Sequence, residues 1–383
     1  IFPMKFTFHN PTKILFGKGM ISQIGPEISA LGIKKVLLVA GGGSIKENTV
    51  YSQVCDSLKD AKIGWVELWG VRPNPTLEKV REGISLAKKD KVGAILAVGG
   101  GSVIDSSKAI ATGIFMGEVW DSFEKKIGVE KALPIFTVLT ISATASEMDG
   151  NAVVSDDVAK QKRSISSSIL YPKVSVIDPT VQSTLPKAQT AFGAIDGLTH
   201  VMEFYFVGAK EETTLAIGEA LMRTIISSCD KLMKNPKDED ARANMAWAIT
   251  LALNGTSGAG LRGGDWSTHG IEYAISGIYP KVAHAAGLSV AYPAWILYVK
   301  DKNPETFARW AKEVWGKKSV EEGVKAMKSK FREWGAPITL AELGIKKSGI
   351  PEMADEFMRL GRKGALKTLD RNDVIRILES AAE

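Results

Sequence analysis

Histidine is scarce in this chain. His9, His200, His269 and His284 are the four that occur, and three of them fall in the second half. His200 closes the stretch Asp196-Gly197-Leu198-Thr199-His200. On a helix, a carboxylate and an imidazole at that spacing project from one face a turn apart, which makes half of a divalent-metal site. His269 and His284, with Pro280 between them, have the spacing of a helix followed by a loop that returns to the same place. Three imidazoles and one carboxylate leave a coordination position open for substrate and suit iron or zinc. The opposing reading of each histidine alone is a hydrogen-bonded structural residue. The set Asp196, His200, His269 and His284 gains weight from the lack of histidine elsewhere and from the small and aromatic residues around it. His9, in a strand-like segment over 5–9, is read as structural.

Two glycine loops form the second chemical feature. Gly41-Gly42-Gly43-Ser44 follows the apolar run Val36–Ala40, and Gly99-Gly100-Gly101-Ser102 follows Ala94–Val98. Glycines let the backbone lie close to an anion, and a helix opening just after them offers unbonded N–H groups and a partial positive charge. A pyrophosphate suits such a place; so does an ordinary tight turn. Neither loop fits the G-x-G-x-x-G fingerprint or the P-loop, but two such turns on neighbouring strands would share one long ligand. A carboxylate at the first loop would bind a ribose 2′-hydroxyl and repel a 2′-phosphate. Here the loop runs through Ser44 to Lys46 with no acid before Glu47, which favours NADP over NAD, with Lys46 either a phosphate partner or a solvated lysine.

These features need elements to hold them. Between Lys35 and Asp178 short β-rich runs alternate with amphipathic stretches, and strand–Gly turn–helix units of this kind predict a parallel sheet with helices on both faces. After Asp178-Pro179 the pattern is helical, as in Thr214–Leu232, Glu239–Leu253 and Asp355–Leu366, broken by prolines that include Pro280, Pro293 and Pro351. The expected organisation is an α/β dinucleotide-binding domain over 1–182 and an all-helical metal-binding domain over 183–383. Trp120, Phe204 and Trp266 suggest an apolar pocket or plain core.

Composition excludes other classes. The 383 residues carry 49 Lys and Arg against 43 Asp and Glu, a surplus of +6 with no run to concentrate it. Nucleic-acid binding has no electrostatic footprint here. Cys55 and Cys229, the two cysteines, make neither a disulfide framework nor a metal motif. No apolar stretch approaches the length of a membrane span, and no signal-peptide pattern opens the chain, so a cytoplasmic protein is expected. Ile1–Pro3 is read as an addition ahead of a native start at Met4.

Taken in order, these motifs resemble the iron-containing (group III) alcohol dehydrogenase family, in particular its butanol dehydrogenase branch. The matches run from Phe8–Ile14 and Phe16–Gly19 through both glycine loops and Pro73-Asn74-Pro75-Thr76. They continue through Gly99–Lys108, Leu139–Glu147, Ile177-Asp178-Pro179, Thr184-Leu185-Pro186 and Asp196–His200 to the segment 265–293. The resemblance implies a dinucleotide-binding α/β domain, an all-helical domain and a metal in the cleft between them, with Asp196, His200, His269 and His284 as ligands. It also implies Gly41, Gly42, Gly43, Ser44, Asn74, Gly99, Gly100, Gly101, Ser102 and Asp105 along the cofactor. Thr140, Ser142 and Lys162 would contact its adenosine or nicotinamide half, and a homodimer is implied.

Three positions depart from the family pattern. Ser142 stands where proline is common, and Ala145 where glycine is frequent. Tyr273 replaces a histidine that usually follows the third ligand by four residues and serves as a candidate proton relay. The loop between His269 and His284 also runs one residue longer than usual. The expected reaction is reversible reduction of a small aldehyde to a primary alcohol, with NADP or NAD and with Fe2+ or Zn2+ holding the carbonyl oxygen. Tyr273 is the candidate proton donor. The alternatives are a glycerol-type polyol dehydrogenase and a dehydroquinate-synthase-like cyclase, the latter lacking the basic array a phosphorylated sugar needs.

Overall fold

The structure, a computed structural model, describes residues 4–361 and 364–383; the reading of Ile1–Pro3 lies outside them. The chain divides into two compact units. One comprises Asn10–Leu185 with Pro236–Ala246, and the other comprises Pro186–Asn235 and Trp247–Glu383 with the segment before Asn10. The units therefore meet along the chain at Leu185/Pro186, and two short segments belong to the unit that a single cut near 182 would not assign them to.

The first unit holds eight strands: β1 (Lys13–Phe16), β2 (Lys35–Ala40), β3 (Gly64–Leu68), β4 (Ala94–Gly99), β5 (Ile135–Leu139), β6 (Asn151–Asp156), β7 (Gln161–Ser166) and β8 (Val174–Ile177). Six of them form a sheet in the order β1-β8-β5-β4-β2-β3, every pairing parallel. Its inner strands β2, β4, β5 and β8 are buried on both sides, as a sheet covered on both faces requires. In β2, Val36 and Leu38 face α1 (Ile24–Ala30) and α2 (Val50–Asp60), while Leu37 and Val39 face α3 (Leu77–Asp90) and α4 (Gly101–Gly113). Each such Val or Leu is fully buried, a contribution of roughly 1.5–3 kcal/mol apiece.

The order of strands fixes where ligands go. β2 and β4 are neighbours, yet the chain leaves β2 toward β3 on one side and β4 toward β5 on the other. Open α/β sheets take their ligands at the carboxyl ends of strands where the order reverses in this way. Both glycine loops follow the two strands that flank that point.

Strands β6 and β7 pair as an antiparallel hairpin that the sequence reading passed over. Ala152, Val154 and Ile165 seat it on the α3/α4 side of the sheet, and the Ser155 N–H donates to the Pro75 carbonyl at 2.8 Å. The strand-like segment over 5–9 forms no strand, and His9 is exposed.

The second unit is helical. It includes α5 (Lys187–Tyr205), α6 (Glu212–Lys234), α7 (Ser267–Ile278) and α8 (His284–Val299). Two expectations are corrected here. Pro293 lies inside α8 instead of breaking it; nearly every residue of that helix is buried, so tertiary packing holds it through the lost hydrogen bond. The helix expected over Asp355–Leu366 runs over Ile350–Leu360, with Pro351 in its first turn and Gly361 ending it at φ 70°. Glycine is the residue that takes this left-handed conformation without cost. Among the described residues no helix is long and apolar enough to cross a membrane.

Candidate metal centre and dinucleotide loops

Helix α5 presents Asp196 and His200 from one buried face, and the His200 Nε2 lies 3.7 Å from the Asp196 Oδ1. His269 enters from the first turn of α7, and its ring stacks on that of His200 with centroids 5.0 Å apart. Donor atoms of Asp196, His200 and His269 lie within 4.8 Å of one another. The chain then leaves α7 through Tyr279–Ala283, and His284 opens α8 with its Nε2 at 3.5 Å from the Asp196 Oδ1. A helix, a loop and a return bring the four residues together.

These residues fit a cation. The Asp196 Oδ1 is buried and accepts no hydrogen bond from any described residue, while imidazole nitrogens face it. Ligands held at ~2.0–2.1 Å around a tetrahedral ion stand about 3.3–3.5 Å apart, close to the two separations given. A buried carboxylate oxygen left without a donor costs free energy, and a metal ion in this place removes that cost.

Two carboxylates that the sequence reading missed orient the histidines. The His269 Nδ1 is 2.6 Å from the Glu203 Oε1, and the His284 Nδ1 is hydrogen-bonded to the Glu272 Oε2. A carboxylate on Nδ1 fixes the tautomer, turns the other nitrogen to the metal side and raises its basicity. Glu203 also accepts from the Thr268 hydroxyl, from the Trp266 N–H at 2.6 Å and from the His269 N–H at 3.3 Å. Burial pushes the Glu203 carboxyl up to about 7 against the pull of those donors. Asp265 is raised by burial and then by Glu203; it accepts from the Ala365 and Leu366 N–H groups at 2.8 Å each. The signal for Glu203 was present in the spacing: Asp196, His200 and Glu203 recur at the period of one helix face.

Tyr273 is buried, and its ring centroid is 6.0 Å from that of His284. Trp266 stands against His269, and Phe204 meets Trp266 edge-on, both with centroids 5.3 Å apart. Trp120 stacks on Phe123 in the core of the other unit, where the plain-core reading holds.

In the sheet unit the loops are built differently. Gly43 has φ 113° and open space around it, as has Gly42. At the second loop the glycines are demanded by packing: a Cβ on Gly100 would lie 2.1 Å from the Ile141 Cγ2, and one on Gly101 2.4 Å from Thr144. Helix α4 begins there with no side chain capping it, which leaves its first N–H groups for a ligand or solvent. Asn74, at φ 54°, accepts from the buried Lys162 Nζ at 3.0 Å. The Thr140 N–H donates to the Gly99 carbonyl at 3.0 Å, and the Gln182 side chain bonds Ser142 through both its N–H and its hydroxyl. Asp105 points inward, where its oxygens take the Ser146 hydroxyl at 2.7 Å and the Val153 N–H at 3.1 Å. Beside it the fully buried Lys108 donates to Ser146, Asp149 and the Asn151 carbonyl, tying α4 to the β6–β7 hairpin that carries Lys162. Ala145 sits at φ 56°, the conformation that a glycine would adopt freely.

Lys46 lies past the first loop with its ammonium 4.1 Å from the Trp69 ring centroid. The Glu67 carboxylate next to it is occupied by Tyr51, Trp65 and Trp69 at 2.6, 2.9 and 2.6 Å.

Residues 11–179 match the family model described as iron-containing alcohol dehydrogenase, and residues 190–382 match that of the Fe-containing alcohol dehydrogenase family, C-terminal. The chain is 38% identical to a probable NADH-dependent butanol dehydrogenase 1 of Bacillus subtilis, covering 98% of this chain and 99% of that one. It is 34% identical to an NADPH-dependent aldehyde reductase of Escherichia coli over 93% of each chain. The solved structure of NADH-dependent butanol dehydrogenase A from Thermotoga maritima superposes with a TM-score of 0.97 at 49% identity, over 99% of both chains. The chain therefore belongs to the iron-containing alcohol dehydrogenase family and is an NAD(P)-linked alcohol dehydrogenase or aldehyde reductase.

Proposed function

We propose that this enzyme reduces a small aliphatic aldehyde such as butanal to its primary alcohol, using NADPH in preference to NADH and a single Fe2+ or Zn2+ held by Asp196, His200, His269 and His284. The observation that carries the reading is the buried, donorless Asp196 Oδ1 faced by histidine nitrogens. When bound, the metal supplies Lewis-acid polarisation of the carbonyl and the nicotinamide supplies hydride. Glu203 and Glu272 hold the imidazoles of His269 and His284 in one tautomer and one orientation. Tyr273 is the candidate donor of the proton to the alcohol oxygen, a role open to a positioned phenol.

Gly41–Ser44, Asn74, Gly99–Ser102, Asp105, Thr140, Ser142 and Lys162 are proposed to line the cofactor. Support for NADPH comes from the absence of a carboxylate in Gly41–Ser44 and from Lys46 held over Trp69, with the acid of Glu67 taken up by three donors. The relatives include both NADH- and NADPH-dependent enzymes, so the cofactor has to be measured. We further propose a cytoplasmic homodimer, on the family resemblance, to be checked by light scattering. The direct test follows the loss of reduced-nicotinamide absorbance with butanal and either cofactor. Turnover with a lower KM for NADPH supports the reading; equal or better use of NADH removes the NADPH assignment, and no turnover with either removes the substrate assignment.

A further inference from the structure

Trp266 has a backbone conformation that a bulky residue seldom adopts, φ 61°. Such a conformation persists where the surroundings hold it, and here they do. Its N–H donates to the Glu203 Oε2 at 2.6 Å. Its indole meets the Phe204 ring edge-on at an interplanar angle of 89° and crosses the His269 ring at 63°, and it lies 6.5 Å from the His200 centroid. The neighbouring positions are cut to fit. A Cβ on Gly264 would stand 2.6 Å from the indole Nε1, and one on Gly258 would stand 2.8 Å from the Phe204 ring. Trp266 and Phe204 nonetheless remain partly exposed, so two aromatic surfaces beside two metal-binding histidines are fixed in place and left open.

We propose that Trp266, backed by Phe204, sets the substrate class: it is an apolar wall that accepts an unsubstituted alkyl chain and offers a substrate hydroxyl no partner. A side chain at Gly264 would run into the indole Nε1, so the nitrogen edge of Trp266 lies toward Gly264, while its rings meet Phe204 and His269. A hydroxyl brought against it gives up water without a replacement hydrogen bond. Apolar pockets discriminate against an added hydroxyl by up to about a hundredfold. The enzyme is thereby directed to simple aliphatic aldehydes and away from hydroxyaldehydes, the substrates a polyol dehydrogenase would take. This inference rests on the reading of the site as one for aldehyde reduction.

The test compares wild type, Trp266→Ala and Trp266→Phe in the metal-loaded protein. It measures kcat and KM for butanal and glyceraldehyde, metal content, and calorimetric affinity for butyramide as an unreactive analogue of butanal. The expected result is a preference for butanal of about tenfold or more in kcat/KM. Trp266→Ala should lose it through KM, with kcat within about twofold. Trp266→Phe should retain it, metal content should stay at one per chain, and butyramide affinity should fall only in the alanine variant. An unchanged preference in Trp266→Ala, or a loss confined to kcat or to metal content, overturns the proposal and leaves Trp266 as a residue that only positions Glu203. If the wild type reduces neither aldehyde, the substrate assignment fails, and unchanged butyramide affinity in Trp266→Ala overturns the wall separately.

Discussion

Replacing Glu203 by glutamine preserves its volume and isolates its role. In the native chain one oxygen takes the Thr268 hydroxyl and both the N–H and Nδ1 of His269, and the other takes the Trp266 N–H. An amide has one accepting oxygen. If that oxygen stays on the histidine side, the new NH2 group faces the Trp266 N–H, donor against donor; if it turns, three donors lose their acceptor. The first arrangement is the less costly, at about 1–3 kcal/mol for the unsatisfied buried donor. The bond to His269 also loses its charge assistance, which roughly halves its strength. Changes of this kind behind a metal ligand weaken metal affinity by about 10–100-fold. Glu203→Gln should therefore bind zinc 10–100-fold less tightly in competition with a chromophoric chelator and unfold at lower urea. A zinc affinity within twofold of wild type, in a folded variant, would refute the claim that Glu203 sets the orientation of His269.

Further expectations follow from the two units. Lys108→Met removes a fully buried cation from Asp149 and two other acceptors, which should cost about 3–5 kcal/mol; a loss below 1 kcal/mol in urea unfolding contradicts the network. Burial pushes the Asp105 carboxyl up to about 7, above its value of about 3.9 in an unfolded chain. The folded state thus holds that proton more tightly, and its contribution to stability is complete below about pH 4 and is lost as pH rises through about 7. Asp105→Asn should flatten the fall of the urea midpoint over that window, and an unaltered slope contradicts the assignment. Tyr273→Phe should lower kcat for butanal about a hundredfold or more, the small end of what a positioned acid contributes; unchanged turnover removes Tyr273 from the proton path.

Much of the fold was legible because its signals are local. The strands β2, β4 and β5 are apolar runs closed by turns, and Asp196 with His200 carries its own helical geometry. The β6–β7 hairpin was not, because Gln161–Ser166 carries Ile165 as its one apolar residue and the hairpin packs through this and Ala152 and Val154 of β6. Pro293 misled for a related reason: local preference argues for a break, while burial on all sides of α8 overrides it. At the proposed metal site the four candidate ligands were suggested by residue type, whereas Glu272 became evident only when the loop returned His284 to it. The second glycine loop carries two meanings at once, since Gly100 and Gly101 are required by Ile141 and Thr144 whatever binds there.

The central claim is that Asp196, His200, His269 and His284 hold the ion on which aldehyde reduction depends. Its most direct test is the titration of chelator-stripped protein with ferrous iron or zinc under anaerobic conditions, with butanal reduction followed at each step. The account predicts negligible activity in the stripped protein, full recovery at one equivalent per chain, and no recovery in Asp196→Ala. Undiminished activity in the stripped protein, or recovery in Asp196→Ala equal to wild type, would contradict it.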